Sequence, residues 1–223
     1  MIILIKLAGF LFLFIMVLYL ILLPAIGYKV ETDYSESWLQ KINDDPKKFQ
    51  LSIGLALIHN VSVITLTIIL FIVYGPPYNI LLGIVLLICR MGEGLILIYD
   101  DKNYGGFLKI ARQYSSTSGA EKSSLSDLAR TITETNSSRF KFAMILWSIG
   151  SLAFSIVLVT YGLVPLFIGW LGIVASILIG LGNGIELIKP NFKTKRSFKV
   201  LTVIGGLSAI TFEVILGVIL LFF

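Results

Sequence analysis

The feature that most restricts this chain is the length of its apolar runs. Six blocks, at about 2–26, 51–74, 78–99, 141–162, 164–188 and 200–223, are nearly free of charge. A helix needs about 20 consecutive apolar residues to cross a hydrocarbon core of ~30 Å. Each block meets that length, and the apolar residues come as blocks rather than at the spacing of a half-buried soluble helix or strand. Composition agrees. The 223 residues are 57% hydrophobic and only 14% charged, against roughly 45–50% and about 25% in soluble domains. The expected fold is an all-α integral membrane bundle of six transmembrane helices with short interfacial helices in the loops, residues 1–223 forming one polytopic domain. The first block has Lys6 near its start and a small pair, Ala25 and Gly27, at its end. It exceeds the ~7–15 residues of a signal-peptide core, so it reads as a span.

Two links between blocks are very short, Gly75-Pro76-Pro77 and Gly162 with Pro165. Proline and glycine are expected to break the helices there and force antiparallel neighbours. The other three links hold the basic residues. Lys29, Lys41, Lys47 and Lys48 lie in the first. Lys102, Lys109, Arg112, Lys122, Arg130, Arg139 and Lys141 belong to the middle one, and Lys189, Lys193, Lys195, Arg196 and Lys199 to the last. All three fall on one face. The positive-inside rule places that face in the cytoplasm and both termini outside, in a multi-pass cell-membrane protein. The net charge of +5 is thus read as facing lipid headgroups, and no nucleic-acid partner is expected.

The two longer links carry apolar stripes: Trp38, Leu39 and Ile42 in one, Leu125, Leu128, Ala129 and Ile132 in the other. Both are expected as helices lying on the headgroups. Ser124 and Asp127 have capping-box spacing, and Ser115 to Gly119 has a linker composition.

Small residues recur every fourth position. Gly172, Ser176, Gly180 and Gly184 form one row, Gly205, Ala209 and Gly217 another, and Ser148, Ser151 and Ser155 line a third helix. Such rows let membrane helices approach closely. Glu213 completes the second row, so it is expected to point into the bundle.

Arg90 and Glu93 interrupt the third block. A charge at mid-bilayer costs ~2.5–3.5 kcal/mol on insertion scales, but a spacing of three puts these two on one side of a helix, where they can pair. Counted at 1.5 Å per residue from the basic face, His59 lies ~12 Å deep, Arg90 ~13 Å, Glu93 ~9 Å and Glu213 ~20 Å. Arg90, Glu93, His59, Asn60 and Glu213 are therefore the candidate polar cluster, either a binding site or ion path, or a clamp that locks the bundle. Asn183 reads as a packing feature and Glu186 as an interfacial anchor. Glu93 and Asn183 occupy related places in a faint repeat of two hairpins that open Tyr74-Gly75 and Tyr161-Gly162. A shared cavity around both would follow from it.

Several chemistries lack their residues. One histidine cannot supply the histidine-rich set of an intramembrane zinc hydrolase, although His59, Glu93 and Glu213 would ligate a metal if three helices converged. No Gly-x-Ser-x-Gly elbow, phosphate-binding loop or dinucleotide fingerprint occurs. The single Cys89 excludes an internal disulfide. No cofactor is expected.

The run from Leu57 to Ile98, ending Arg-Met-Gly-Glu-Gly-Leu-Ile-Leu-Ile, resembles the bacterial and archaeal membrane family catalogued as domain-of-unknown-function family 4386. So do Gly162-Leu163-Val164-Pro165 with the helix after it and the opening Leu7-Ala8-Gly9-Phe10. The resemblance implies a multi-span membrane protein of unestablished activity. It carries over Arg90, Glu93, Pro165, Trp170 and Gly172. Family members place basic residues around the Val-Pro turn, which would make it cytoplasmic; here that turn is uncharged. The functional expectation is a protein that binds or senses a small ligand or lipid. The alternative is a small proton-coupled carrier using Arg90, Glu93 and Glu213, with an intramembrane enzyme a more distant one. Membrane lipids are the expected partners.

Overall fold

The computed structural model describes residues 1–26 and 36–222, without the side chains of Lys193 and Ser197. Lys29, Glu31 and Asp33 of the first basic link, and Phe223, lie outside the described residues. The helices are α1 (Ile2–Val17), α2 (Leu23–Ile26), α3 (Glu36–Asp44), α4 (Pro46–Tyr78), α5 (Ile80–Tyr104), α6 (Phe107–Ser116), α7 (Gly119–Thr160), α8 (Leu166–Ile188) and α9 (Arg196–Phe222). A π turn over Leu18–Leu22 joins α1 to α2, immediately ahead of the bond that Pro24 cannot donate. A 3₁₀ turn over Pro190–Thr194 precedes α9.

Among the described residues the fold is all-α, and six helical stretches are long and apolar enough to cross a membrane. Each packs on its sequence neighbour, in the order α1, α4, α5, α7, α8, α9, and α9 returns to α1 to close a ring. Residues from all six helices fill the middle, including Phe12, Leu66, Leu86, Leu158, Ile168 and Leu216.

The links between spans follow local chemistry. Helix α4 does not stop at Gly75-Pro76-Pro77 but runs through both prolines to Tyr78. Neither proline donates, so the carbonyls of Ile72 and Val73 lose their helical bonds, and α4 ends one residue after Pro77. Asn79 then caps α5 by accepting the Leu82 N–H at 3.1 Å. At the α7–α8 turn, Gly162 has φ +60°. Leu163 N–H bonds Leu158 O and Gly162 N–H bonds Val159 O, the reciprocal pair of a Schellman stop. Tyr161 OH donates to Tyr78 O at 2.8 Å, so the two tight turns meet at one end of the bundle.

The opposite end carries a cap. Helix α7 has 42 residues, about 63 Å at 1.5 Å each. That is about twice the hydrocarbon thickness, so its first half stands clear of a bilayer. Asp45 caps the early start of α4 by accepting Lys48 N–H at 3.0 Å, with Pro46 at the first helical position. Around these two stems the link helices bury their stripes against each other. Trp38, Leu39 and Ile42 of α3 pack with Phe107, Ala111 and Ala129. The Trp38 ring meets Phe107 at 4.8 Å and Tyr104 at 6.3 Å. Glu36 accepts from Tyr114 OH at 3.0 Å and Ser126 Oγ at 3.2 Å, tying α3 to α6 and α7. The helices foreseen for the links are present, but their apolar faces meet one another. Ser124 and Asp127 lie inside α7, which starts earlier, with Ser118 at its N-cap.

The small-residue rows pack only in part, for a geometric reason. An α-helix turns 100° per residue, so a four-residue row drifts ~40° per step and ~120° over three steps. In α9, Gly205 faces Leu178 and Ile179 of α8, whereas Gly217 faces Phe12 and Leu13 of α1. Glu213 lies between those directions and is 8% exposed. In α8, Gly172 abuts Ser155 and Phe212, and Gly180 abuts Ser148. Gly184 has swung out of the seam: a Cβ there would meet nothing within 4 Å.

Candidate functional site

Two polar layers cross the bundle. The inner one is built on α5. Arg90 and Glu93, three residues apart, form an ion pair with Nη1 to Oε2 at 2.6 Å, and they are 7% and 3% exposed. The helix supplies the register. Helix α7 closes over the pair because residue 150 is glycine: a Cβ there would lie 2.7 Å from Arg90 Cγ. One turn earlier on α7, the Trp147 ring stands 5.8 Å from the guanidinium carbon, a cation–π distance. The Trp147 indole also hydrogen-bonds the Glu213 carboxylate of α9, which lies within electrostatic range of both Arg90 and Glu93. Arg90, Glu93, Trp147 and Glu213 thus join three helices, with one guanidinium facing two carboxylates.

The second layer forms the neck between bundle and cap. Asn60 Nδ2 of α4 donates to Asp101 Oδ2 at 2.7 Å. Arg139 Nη1 of α7 donates to Asp100 Oδ1 at 2.9 Å and to Asn136 Oδ1 at 3.3 Å. Asn136 is in turn a partner of Tyr104, and the Arg139 guanidinium carbon lies 5.0 Å from the Tyr99 ring. Asp100 and Asp101 are both buried.

The five sequence candidates therefore divide. Arg90, Glu93 and Glu213 come together in the inner layer. Asn60 joins the neck instead, and His59 stands between the two. Its Nδ1 is 3.1 Å from Asn60 Oδ1, its ring packs on Tyr19 at 5.8 Å, and it feels the charge of Arg90. By depth alone His59, Asn60, Arg90 and Glu93 can share one layer. Side chains, however, lean toward the N-terminus of their own helix. In the antiparallel pair α4–α5, Asn60 leans toward the cap and Arg90 away from it. Asn183 donates to Ile179 O on its own helix, apart from Glu93, and Glu186 pairs with Lys141 at 3.1 Å.

Sequence reasoning passed over Trp147, Gly150, Asp100, Asp101 and Arg139. Asp100 and Asp101 lie just past the apolar block that ends near residue 99, yet α5 continues to Tyr104. Gly150 is off the four-step rows and carries no signal of its own. Among the described residues no group of three or more His, Cys, Asp or Glu side chains is placed to hold a metal ion.

A closed ring of apolar spans around buried charge defines a polytopic helical membrane protein with an internal polar cluster. More narrowly, the chain belongs to the DUF4386 family, a domain of unknown function whose family model matches residues 7–223. Neither a curated protein nor a solved structure matches it.

Proposed function

We propose that this is a membrane-embedded binding or sensing protein whose inner polar layer takes up a small positively charged species. The observation that carries the reading is the charge count around Arg90: one guanidinium for the two buried carboxylates of Glu93 and Glu213. An uncompensated carboxylate at that depth costs several kcal/mol, so a proton or a small cation lowers the energy of the layer. Trp147 adds an aromatic face beside it, a surface that favours cations.

The test uses the purified full chain in nanodiscs, with thermal stability followed against pH and against added alkali cations and small amines. Wild type is expected to be stabilised by one of these, and Glu213→Gln to lose the response while remaining folded. His59, Asp100 and Asp101 also titrate, so the readout is the difference between wild type and Glu213→Gln. A wild type that responds no differently from Glu213→Gln refutes the reading.

The same pair of carboxylates on one arginine supports a second reading, a proton-coupled carrier. It requires pH-driven flux in proteoliposomes that Glu93→Gln abolishes. For orientation, we place the cap in the cytoplasm by its lysines and arginines. A reporter fused after Phe223 should then read as non-cytoplasmic, and a cytoplasmic signal reverses the assignment.

A further inference from the structure

Between α5 and α7, on the outside of the ring, runs an open groove of about 540 Å³. Its lining changes character along its length. Leu95 and Ile96 of α5 and Phe142 of α7 form the apolar end. One turn nearer the cap on both helices come Tyr99 and Arg139, with Ser138 and then Thr135 beyond. Because α5 runs toward the cap and α7 away from it, apolar and polar residues match in level across the groove. That is the profile of an amphiphile standing along the membrane normal, chain inward and headgroup at the neck.

The polar end has a definite hydrogen-bonding character. Arg139 uses Nη1 for Asp100 and Asn136. Among the described residues its Nε and Nη2 have no hydrogen-bond partner, and its side chain is 36% exposed. A guanidinium so placed presents two N–H groups in the fork that suits a phosphate. Ser138 and Thr135 give their hydroxyl protons to Glu134 O and Thr131 O. Toward the groove they offer lone pairs, which accept from a donor. Of the residues that line the groove, Arg139 alone is charged, and it is already paired with the buried Asp100 behind it, with Glu134 exposed one turn from Ser138. An arginine so neutralised complements a phosphate paired with an ammonium better than a purely anionic headgroup.

We propose that the α5–α7 groove is a binding site for phosphatidylethanolamine, with its phosphate on Arg139, its ammonium on the Ser138 and Thr135 oxygens, and an acyl chain over Leu95 and Phe142. Phosphatidylcholine carries the same phosphate and chains but has no N–H to donate. Phosphatidylglycerol brings donors with a net negative charge. The site is separate from the Arg90 layer, so either can fail without the other.

Native mass spectrometry of the full chain, released from detergent after incubation with equimolar ethanolamine, choline and glycerol phospholipids, tests it. The expected result is a retained ethanolamine lipid favoured roughly tenfold over the choline lipid, the scale of one charge-assisted contact. Arg139→Gln should lose that preference. Leu95→Trp fills the groove while leaving every polar group in place, so it should lower retention of the ethanolamine lipid even where Arg139→Gln fails to fold. Equal retention of the three lipids, or preference for the glycerol lipid, overturns the proposal. So does retention indifferent to Leu95→Trp, or efficient crosslinking of two chains through Leu95→Cys in nanodiscs, which would make the occupant a second copy.

Discussion

The two polar layers solve the same problem in different ways. In the inner layer the main bond, Arg90 to Glu93, is made within one helix over three residues, and a glycine on α7 lets the neighbouring backbone shut it in. In the neck the bonds cross between helices, over 41 residues from Asn60 to Asp101 and 39 from Asp100 to Arg139. Arg139 keeps one side open to the surroundings. The lesson concerns dielectric. Deep in the ring no water can substitute for a lost partner, so each group depends on its neighbours. At the neck, water and headgroups can substitute. A polar contact should therefore matter more the deeper it lies.

Five single variants and one double variant sharpen or break that contrast. The largest effect is expected for Arg90→Ala, which leaves Glu93 and Glu213 without a cation. Removing one member of a buried pair costs about 3–5 kcal/mol, read as lost monodisperse yield and a lowered melting temperature in detergent. The double change Arg90→Ala/Glu93→Ala should recover part of the loss; a double variant no better than the single one breaks the pairing argument. Next comes Gly150→Ala, whose Cβ would press on the Arg90 stem and cost about 1–3 kcal/mol. Gly184→Ala, with open space around it, should leave melting unchanged or slightly raised. Equal losses at Gly150 and Gly184 would show that the α7 contact does not constrain Arg90. At the neck, Asn60→Ala removes the amide that Asp101 accepts from, for about 1–3 kcal/mol, partly relieved where water enters; a loss as large as that of Arg90→Ala would erase the distinction between the layers. Among the polar contacts the smallest loss is expected for Arg130→Ala. Asp127 lies 4.0 Å from it, and both side chains are more than half exposed. The shift should stay within about 0.5 kcal/mol, and a larger one would mean that the cap's surface charges act as a network.

The residues show where the sequence could be read and where it could not. The ends of spans were the weak point. Asp100 and Asp101 marked the edge of an apolar block, but a helix does not stop at a charge. It stops where capping and glycine stop it, here at Gly105 and Gly106. Likewise Pro76 and Pro77 did not end α4 at once: the bonds they forfeit are to carbonyls one turn back, and the helix stops one residue after Pro77. The Trp38 stripe announced an amphipathic helix correctly. Whether headgroups or protein would cover it depended on how far α7 and α4 project beyond the ring.

What the chain determined by itself is whatever is local along it. Helical hydrogen bonds close within four residues, so apolar blocks of sufficient length already imply six spans. A three-residue spacing likewise sets Arg90 beside Glu93. What only the tertiary structure decided is every contact that depends on how helices are rotated and which way their side chains lean. These include Glu213 meeting Trp147 and Arg90, Asn60 turning to Asp101, and the closure of α9 on α1. A row drifting by ~40° every four residues faces one helix at its start and another at its end, and no spacing in the sequence states which neighbour stands at the residue between.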